Sequence, residues 1–250
     1  MGTLSIVATP IGNLEDITLR ALRIMKECDV IYAEDTRVIA KLLARYEIKK
    51  PLQRLDAATE GKKADEVIER LEAGEHVVFV SDAGTPGISD PGARLVARVR
   101  ERLLQSIAED ISFPLPPVVR VEKEISSATR SVPFRIEAIP GPSALAAAIS
   151  IAGLTSDQFT FRGFLPHKKG RQTALKEIGA SDIPVILYES PHRIMKLLEE
   201  LAAAGIETVS IGRELTKMHE EFLTGEPREL AADLEKRDAI RGEFVVIVGR

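Results

Sequence analysis

Short apolar runs, each followed by a turn and then by a helical pattern, constrain the fold of this chain more than any other feature. Residues 4–8, 30–33 and 76–80 are apolar runs of strand length, and apolar residues with helical spacing follow each of them. Alternation of strand and helix predicts a parallel sheet with helices on its faces. The carboxyl ends of parallel strands lie at one edge of the sheet, so we expect the ligand-binding turns there.

The longest of these turns, residues 80–92, contains three glycines, two prolines and two aspartates. Glycine permits close approach of the backbone to a ligand and positive φ values, and proline stiffens a turn. A simpler interpretation is a strand-to-helix turn in which Asp90 is the N-cap and Pro91 takes the first helical position. The turn has neither the Gly-Lys-Ser/Thr ending of a P-loop nor the G-x-G-x-x-G pattern of a dinucleotide fold, which disfavours two common nucleotide-binding readings.

The second half of the chain repeats the strand-and-helix pattern after an irregular stretch. Residues 104–133 contain Pro-rich and alternating segments, and we interpret them as an insertion into an N-terminal α/β domain of residues 1–138. Residues 139–250 are expected to form a C-terminal α/β domain with a second, mixed sheet. Its predicted strands are 158–164, 183–188, 208–212, 221–225 and 244–248.

Composition limits the class of protein. The chain has 250 residues, of which 44% are hydrophobic, and this length suits one large domain or, as we prefer, two small ones. Its single cysteine, Cys28, rules out an internal disulfide framework, and with no recognisable signal peptide we expect a cytoplasmic protein. No apolar run is long enough to span a membrane, so no membrane partner is expected.

The charge distribution bears on nucleic-acid binding. A formal net charge of −4 gives no general attraction to nucleic acid. Residues 162–176 nevertheless contain five Lys or Arg and no acid, including Lys168, Lys169 and Arg171. This basic loop is either a solvated surface or a contact for a phosphate backbone.

Five turns taken together resemble one family in order and nearly letter for letter. They are residues 8–14 (ATPIGNL), 33–37 (AEDTR), 80–92 (VSDAGTPGISDPG), 140–145 (PGPSAL) and 188–193 (YESPHR). Residues 213–217 and 242–245 are similar to that family's closing motifs. The family is ribosomal RNA small subunit methyltransferase I, a branch of the tetrapyrrole methylase superfamily.

The resemblance implies a two-domain tetrapyrrole-methylase-like α/β fold, a homodimer, and S-adenosylmethionine held in a cleft between the domains. It implies methyl transfer to the ribose 2′-hydroxyl of a cytidine in the decoding region of small-subunit ribosomal RNA, free or in the assembled 30S subunit. It also implies cofactor contacts from the following residues: Pro10, Asp82, Ala83, Gly84, Gly87, Ile88, Pro142, Ser143, Tyr188 and Leu215.

Two stretches depart from the family pattern. Residues 55–60 read LDAATE, where the family commonly has a segment with His and Asn, so no role of that segment is transferred. Residues 104–132 replace a short connection of the family with a longer one, either a substrate- or dimer-related insertion or a surface excursion without function.

Methyl transfer to a hydroxyl requires alignment of the reacting atoms, exclusion of water and a proton acceptor. Asp35, Glu189 and His192 follow predicted strands and are the candidate acceptors; Asp35 has the alternative roles of capping a helix or pairing with Arg37. Arg37, Lys168, Lys169 and Arg171 are candidate RNA contacts. No His, Asp and Glu cluster indicates a metal site, and none is expected.

Two other functions remain compatible with the sequence. One is methylation of a corrinoid or porphyrin precursor, which residues 34–37 and the basic loop disfavour. The other is a non-catalytic RNA-binding homologue, which a test for transfer of a labelled methyl group distinguishes.

Overall fold

The computed structural model describes residues 1–56, 59–90, 92–109 and 134–249. The chain divides into two compact units. The N-terminal unit comprises Met1–Pro10 and Leu14–Pro142, and the C-terminal unit comprises Ile11–Asn13 and Ser143–Arg250. The short segment 11–13 therefore belongs to the C-terminal unit although it follows the first strand of the N-terminal one.

The N-terminal unit contains the predicted parallel sheet. Its five strands lie in the order β3-β2-β4-β1-β5, and every neighbouring pair is parallel. The strands are β1 (Gly2–Val7), β2 (Val30–Ala33), β3 (Leu52–Arg54), β4 (His76–Val80) and β5 (Phe134–Ile139). The sequence pattern did not predict β3, a three-residue edge strand whose side chains are at most half-buried.

Helices cover both faces of this sheet, as the alternation predicted. They are α1 (Leu19–Glu27), α2 (Thr36–Arg45), α3 (Glu60–Glu72) and α4 (Gly92–Glu109), with a 3-10 turn at Leu14–Asp16. The helices α1 and α2 pack with Ile31 and Val78 on one face. The helices α3 and α4 pack with Tyr32 and Phe79 on the other. Neighbouring residues of β2 and β4 thus point to opposite faces, and all of them except His76 are buried.

Helix α4 overlaps the start of the irregular stretch expected at 104–133. Helix α4 continues to Glu109, because the apolar spacing that buries Leu95 and Val99 extends to Leu103 and the helix runs on beyond it. Residues 110–133, which hold the rest of the predicted insertion, lie outside the described residues.

The C-terminal unit contains the predicted mixed sheet. The order is β6-β7-β10-β8-β9, with β6 and β7 parallel and the other neighbours antiparallel. The strands are β6 (Thr160–Phe164), β7 (Val185–Glu189), β8 (Val209–Arg213), β9 (Glu221–Gly225) and β10 (Phe244–Val248). The helices are α5 (Ala144–Ala152), α6 (Arg171–Gly179), α7 (Ile194–Ala203) and α8 (Pro227–Lys236).

The second sheet is also covered on both faces. Helices α6, α7 and α8 pack on the face that carries Leu187 and Val246. Helix α5 packs on the face that carries Ile186 and Val245, together with Ile11. Among the described helices, none combines the length and the apolar character that crossing a bilayer requires.

Candidate functional site

The carboxyl edge of the parallel sheet brings four turns of the N-terminal unit together. The N–H of Thr9 donates to Gly84 O at 2.9 Å, and the N–H of Gly84 donates to Thr9 O at 3.0 Å. This bridge ties the turn after β1, which includes the buried Pro10, to the long turn after β4. Gly84 has a φ of 80°, a value that side chains disfavour, so the glycine is needed for this bridge.

The other two turns join through side chains. Asp82 Oδ1 accepts the backbone N–H of Asp35 at 2.8 Å, which connects the turns after β4 and β2. The hydroxyl of Thr85 donates to Pro142 O at 3.0 Å, which connects the turn after β5. Pro10, Asp82, Gly84 and Pro142, all predicted cofactor contacts, therefore lie along one edge.

The second half of the long turn is organised by Asp90. Its Oδ1 accepts the N–H groups of Gly87 at 2.8 Å and Gly92 at 2.9 Å, the capping role considered from the sequence. Pro91 lies outside the described residues. Gly87 has a φ of 90°, and a Cβ there would meet no heavy atom within 4 Å, so its backbone faces open space. Ala83 is exposed and Ile88 is half-buried.

The electrostatic character of this edge is acidic. Burial raises the pKa of Glu34, and the carboxylates of Asp82, Asp90, Asp56 and Asp35 raise it further. Sequence reasoning named Asp35 and passed over Glu34. The position of Glu34 directly after β2 was a usable signal, but the convergence of the other carboxylates was not visible from the sequence.

Asp35 has the opposite surroundings. The guanidinium and backbone N–H of Arg37 donate to its carboxylate, which lowers its pKa to about 2, and it is also the N-cap of α2. Both structural roles proposed for Asp35 from the sequence are therefore present. No group of three or more His, Cys, Asp or Glu within the described ranges is arranged to hold a metal ion.

In the C-terminal unit, Tyr188 lies beside the turn that opens α5. Its hydroxyl accepts the N–H of Leu145 at 3.1 Å, and burial raises the pKa of Tyr188 while Ser143 hydrogen-bonds to the same hydroxyl. The rings of Phe161 and Phe164 contact Tyr188 edge-on, with centroid distances of 4.9 and 5.8 Å. Ser143 and Tyr188, both predicted cofactor contacts, are thus neighbours.

Leu215 lies in a tightly held loop after β8. Glu214 and Thr216 have positive φ values of 50° and 68°, which are uncommon for residues with a Cβ and mark strain that the surroundings must hold. Glu214 Oε1 accepts from Lys217 Nζ at 2.7 Å and from Glu243 N at 3.0 Å. The hydroxyl of Thr216 accepts the N–H of Asn13 at 3.2 Å, so segment 11–13 lies against this loop.

Two candidate proton acceptors lie at the end of β7 and differ sharply. His192 is exposed just before α7. Glu189 is only 2% exposed, and its carboxylate accepts two hydrogen bonds from Arg193, at 2.7 and 2.9 Å, and one from Ser190 N. A carboxylate enclosed in this way cannot reach a substrate, so the structure disagrees with a catalytic Glu189 and gives it a structural role.

The side chains of Arg171 and Arg193 hold the backbone of the basic loop. Arg171, only 4% exposed, pairs with Glu200 at 2.7 Å and donates to Pro166 O, and Arg193 donates to Leu165 O. The structure therefore contradicts the expected role of Arg171 as a phosphate contact, because its guanidinium is buried and paired with Glu200. Lys168 and Lys169 are exposed, as a phosphate contact requires.

Comparison with known proteins places the chain in a family. The model of the tetrapyrrole (corrin/porphyrin) methylases matches residues 3–107 and 119–231. Ribosomal RNA small subunit methyltransferase I of Thermotoga maritima is 39% identical over 249 residues, covering 99% of this chain and 98% of its own. The Coprothermobacter proteolyticus protein of the same name is 40% identical over 245 residues, covering 97% and 95%. The chain belongs to the ribosomal RNA small subunit methyltransferase I family.

Solved structures agree with this family's fold. Diphthine synthase superposes with a TM-score of 0.67 at 13% identity, covering 100% of this chain and 90% of its own. Uroporphyrin-III-C-methyltransferase from Thermus thermophilus gives 0.61 at 16% identity, covering 100% and 94%. At such identities the similarity concerns the fold alone, which is the tetrapyrrole methylase fold predicted from the sequence.

Proposed function

We propose that this protein transfers a methyl group from S-adenosylmethionine to the ribose 2′-hydroxyl of a cytidine in small-subunit ribosomal RNA. The observation that carries the proposal is the 39–41% identity, over nearly the whole chain, to proteins named ribosomal RNA small subunit methyltransferase I. The 2′-oxygen and the cytidine come from the family resemblance of the turns and are the finer part of the proposal.

The carboxyl edge of the parallel sheet suits a cationic cofactor. S-Adenosylmethionine supplies a methyl group on a positively charged sulfonium, and the carboxylates that raise the pKa of Glu34 make a negative field at this edge. The open backbone at Gly87 and the exposed Ala83 allow close approach. Cofactor contacts are proposed for Pro10, Asp82, Ala83, Gly84, Gly87, Ile88 and Pro142 here, and for Ser143, Tyr188 and Leu215 in the C-terminal unit.

The proton acceptor is proposed to be Glu34. A ribose hydroxyl is a weak acid, so a carboxylate with a raised pKa removes its proton more effectively than one with a lowered pKa. Among the described residues, no hydrogen bond or ion pair engages the Glu34 carboxylate, whereas Arg37 occupies that of Asp35. The exposed His192 is the second candidate.

Contacts to the RNA are proposed for Arg37, Lys168 and Lys169. All three side chains are exposed, and phosphate contacts fix the register of an RNA without reading its bases. A ribosomal substrate also implies a cytoplasmic protein, and the family resemblance supports a homodimer, the simplest closed assembly.

The test is methyl transfer to ribosomal subunits. Small subunits, and separately their naked RNA, are prepared from cells that lack this methyltransferase and incubated with the protein and methyl-labelled S-adenosylmethionine. We expect one methyl group per subunit, mapped by primer extension to a cytidine 2′-oxygen in the decoding region. Label on a base instead would overturn the 2′-oxygen, and absence of label from every RNA would overturn the function; transfer to a porphyrin precursor in a parallel reaction would replace it.

A further inference from the structure

Helix α2 carries a second basic surface that the sequence analysis did not single out. Residues 36–50 contain five Lys or Arg and one acid, Glu47. Within the helix, Arg37, Lys41 and Arg45 are spaced by four residues and therefore lie along one stripe, at steps of about 6 Å. All three are exposed, and Lys49 is exposed just beyond the helix end. We call Arg37, Lys41, Arg45 and Lys49 the α2 stripe.

The opposite side of α2 is committed to the core. Ile39, Leu42 and Leu43 are at most 5% exposed and pack against the parallel sheet. This burial fixes the rotation of the helix, so the α2 stripe must face outward. Arg45 is further positioned by the ring of Tyr46, whose centroid lies 5.9 Å from the guanidinium carbon and whose hydroxyl donates to Leu14 O at 2.6 Å.

The α2 stripe has fewer paired cations than the basic loop. In residues 162–176, Arg162 pairs with Glu177 at 2.6 Å and Arg171 pairs with Glu200, so two of the five cations already have a counter-charge within the protein. In the α2 stripe, Arg37 pairs with Asp35. Among the ion pairs between described residues, none involves Lys41, Arg45 or Lys49.

We propose that the α2 stripe binds the phosphate backbone of the RNA substrate. Exposed, regularly spaced cations on a protein of net charge −4 are complementary to a polyanion, and their cost in self-repulsion is relieved when phosphates lie against them. Residues 38–44 contain no acid, so no carboxylate between Arg37 and Arg45 repels a phosphate group.

The direction of the stripe connects it to the candidate site. Helix α2 begins directly after the turn that holds Glu34 and Asp35, so Arg37 lies at the carboxyl edge of the sheet and Arg45 lies about 12 Å further along the helix. RNA bound along the stripe therefore leads toward the proposed proton acceptor. This inference rests on the proposed function and names a surface for its substrate.

The experiment compares two matched double variants of the full chain. Lys41→Ala/Arg45→Ala removes two stripe charges, and Arg228→Ala/Lys236→Ala removes one Arg and one Lys at exposed positions of α8, which also carries acids. Binding of each protein to a fluorescent single-stranded RNA and to naked small-subunit RNA is titrated between 50 and 200 mM salt. Methyl transfer to small subunits is measured in parallel.

We expect the slope of log affinity against log salt to fall by about 1.4 for the stripe variant, about 0.7 for each lost phosphate contact. The factor by which the wild type binds RNA more tightly than this variant should therefore be about sevenfold smaller at 200 mM salt than at 50 mM salt. KM for subunits should rise while kcat stays within about twofold, and the charge-preserving Lys41→Arg/Arg45→Lys protein should bind like the wild type. The α8 variant should keep the wild-type slope.

Three results would overturn the inference. The stripe variant could keep the wild-type slope and KM, or the α8 variant could lose as much as the stripe variant. The stripe variant could also bind naked RNA normally and lose only assembled subunits, which would indicate an acidic protein as the partner. A wild-type protein that binds RNA but transfers no methyl group fails the proposed function instead, so the two failures are distinguishable.

Discussion

Glu34 and Glu189 occupy equivalent places, each at the carboxyl end of a buried strand, yet their surroundings are opposite. Burial raises the pKa of Glu34, and the charges of four other carboxylates raise it further. Glu189 is enclosed by Arg193, with Arg171 3.9 Å away. The difference shows that position at a strand end selects candidates, while the partners brought by the fold decide which carboxylate is available for chemistry and which is structural.

The largest effect is expected from breaking the buried pair. Glu189→Gln retains volume but leaves the guanidinium of Arg193 without its counter-charge, so the free energy of unfolding should fall by about 3–5 kcal/mol. Urea unfolding of the full chain measures this. Glu199→Gln, at an exposed position of α7, should stay within about 0.5 kcal/mol of the wild type. Equal stability of the two variants would contradict a structural Glu189.

Glu34→Gln sharpens the comparison at the other strand end. Loss of the proton acceptor should lower kcat for methyl transfer about a hundredfold, with little change in KM. Asp35→Asn should lose less, because Arg37 already occupies that carboxylate. Single-turnover transfer to small subunits measures both variants. If Asp35→Asn is the slower enzyme, the assignment of Glu34 is wrong.

The raised pKa of Glu34 also predicts a pH dependence of stability. Above the ordinary value of 4.5, the folded state holds this proton more tightly than the unfolded state, so stability is lost as pH rises through the folded pKa. Glu34→Gln should therefore gain stability relative to the wild type between pH 4.5 and 7. Denaturant midpoints at both pH values test this, and a variant that is less stable at pH 7 than at pH 4.5, relative to the wild type, would contradict it.

A methyl group added at Gly84, in the long turn after β4, should weaken cofactor binding more than one added at a glycine away from the candidate site. Gly84→Ala and Gly74→Ala both place a side chain at positive φ, 80° and 90°, and each should cost about 1 kcal/mol of stability. Only Gly84→Ala should weaken S-adenosylmethionine binding, by about tenfold in calorimetry, since Gly74 precedes β4 at the other end of the strand. Equal affinities would remove the long turn from the cofactor contacts.

The smallest effect is expected for the two exposed lysines of the basic loop. Lys168→Ala/Lys169→Ala should reduce the salt slope of RNA binding by about 1.4 and raise KM a few-fold, without changing S-adenosylmethionine affinity. The same measurements on Arg228→Ala/Lys236→Ala provide the reference. An unchanged slope would leave the loop as a solvated surface and the α2 stripe as the RNA contact.

Several features were predictable because they depend on local pattern. Apolar runs of strand length alternating with helical spacing predicted the parallel sheet, and the turns carried the family resemblance. Edge strand β3 was not predicted, because three residues, two half-buried and one exposed, are too few to show the alternation of apolar and polar side chains that indicates a strand. Helix α4 was predicted too short, because only packing shows that Leu103 continues its buried face.

The sequence alone determined the fold class, the family and the strand ends where the candidate residues lie, since hydrophobic period and turn composition are local properties. The tertiary structure decided how each charge is used. The sequence predicted Arg171 as an RNA contact, whereas the fold places it against Glu200, 29 residues away. Burial raises the pKa of Glu34, and the carboxylates of Asp82 and Asp90, about fifty residues further along the chain, raise it further. Ion pairing and desolvation depend on distances between residues remote in sequence, which no local pattern records.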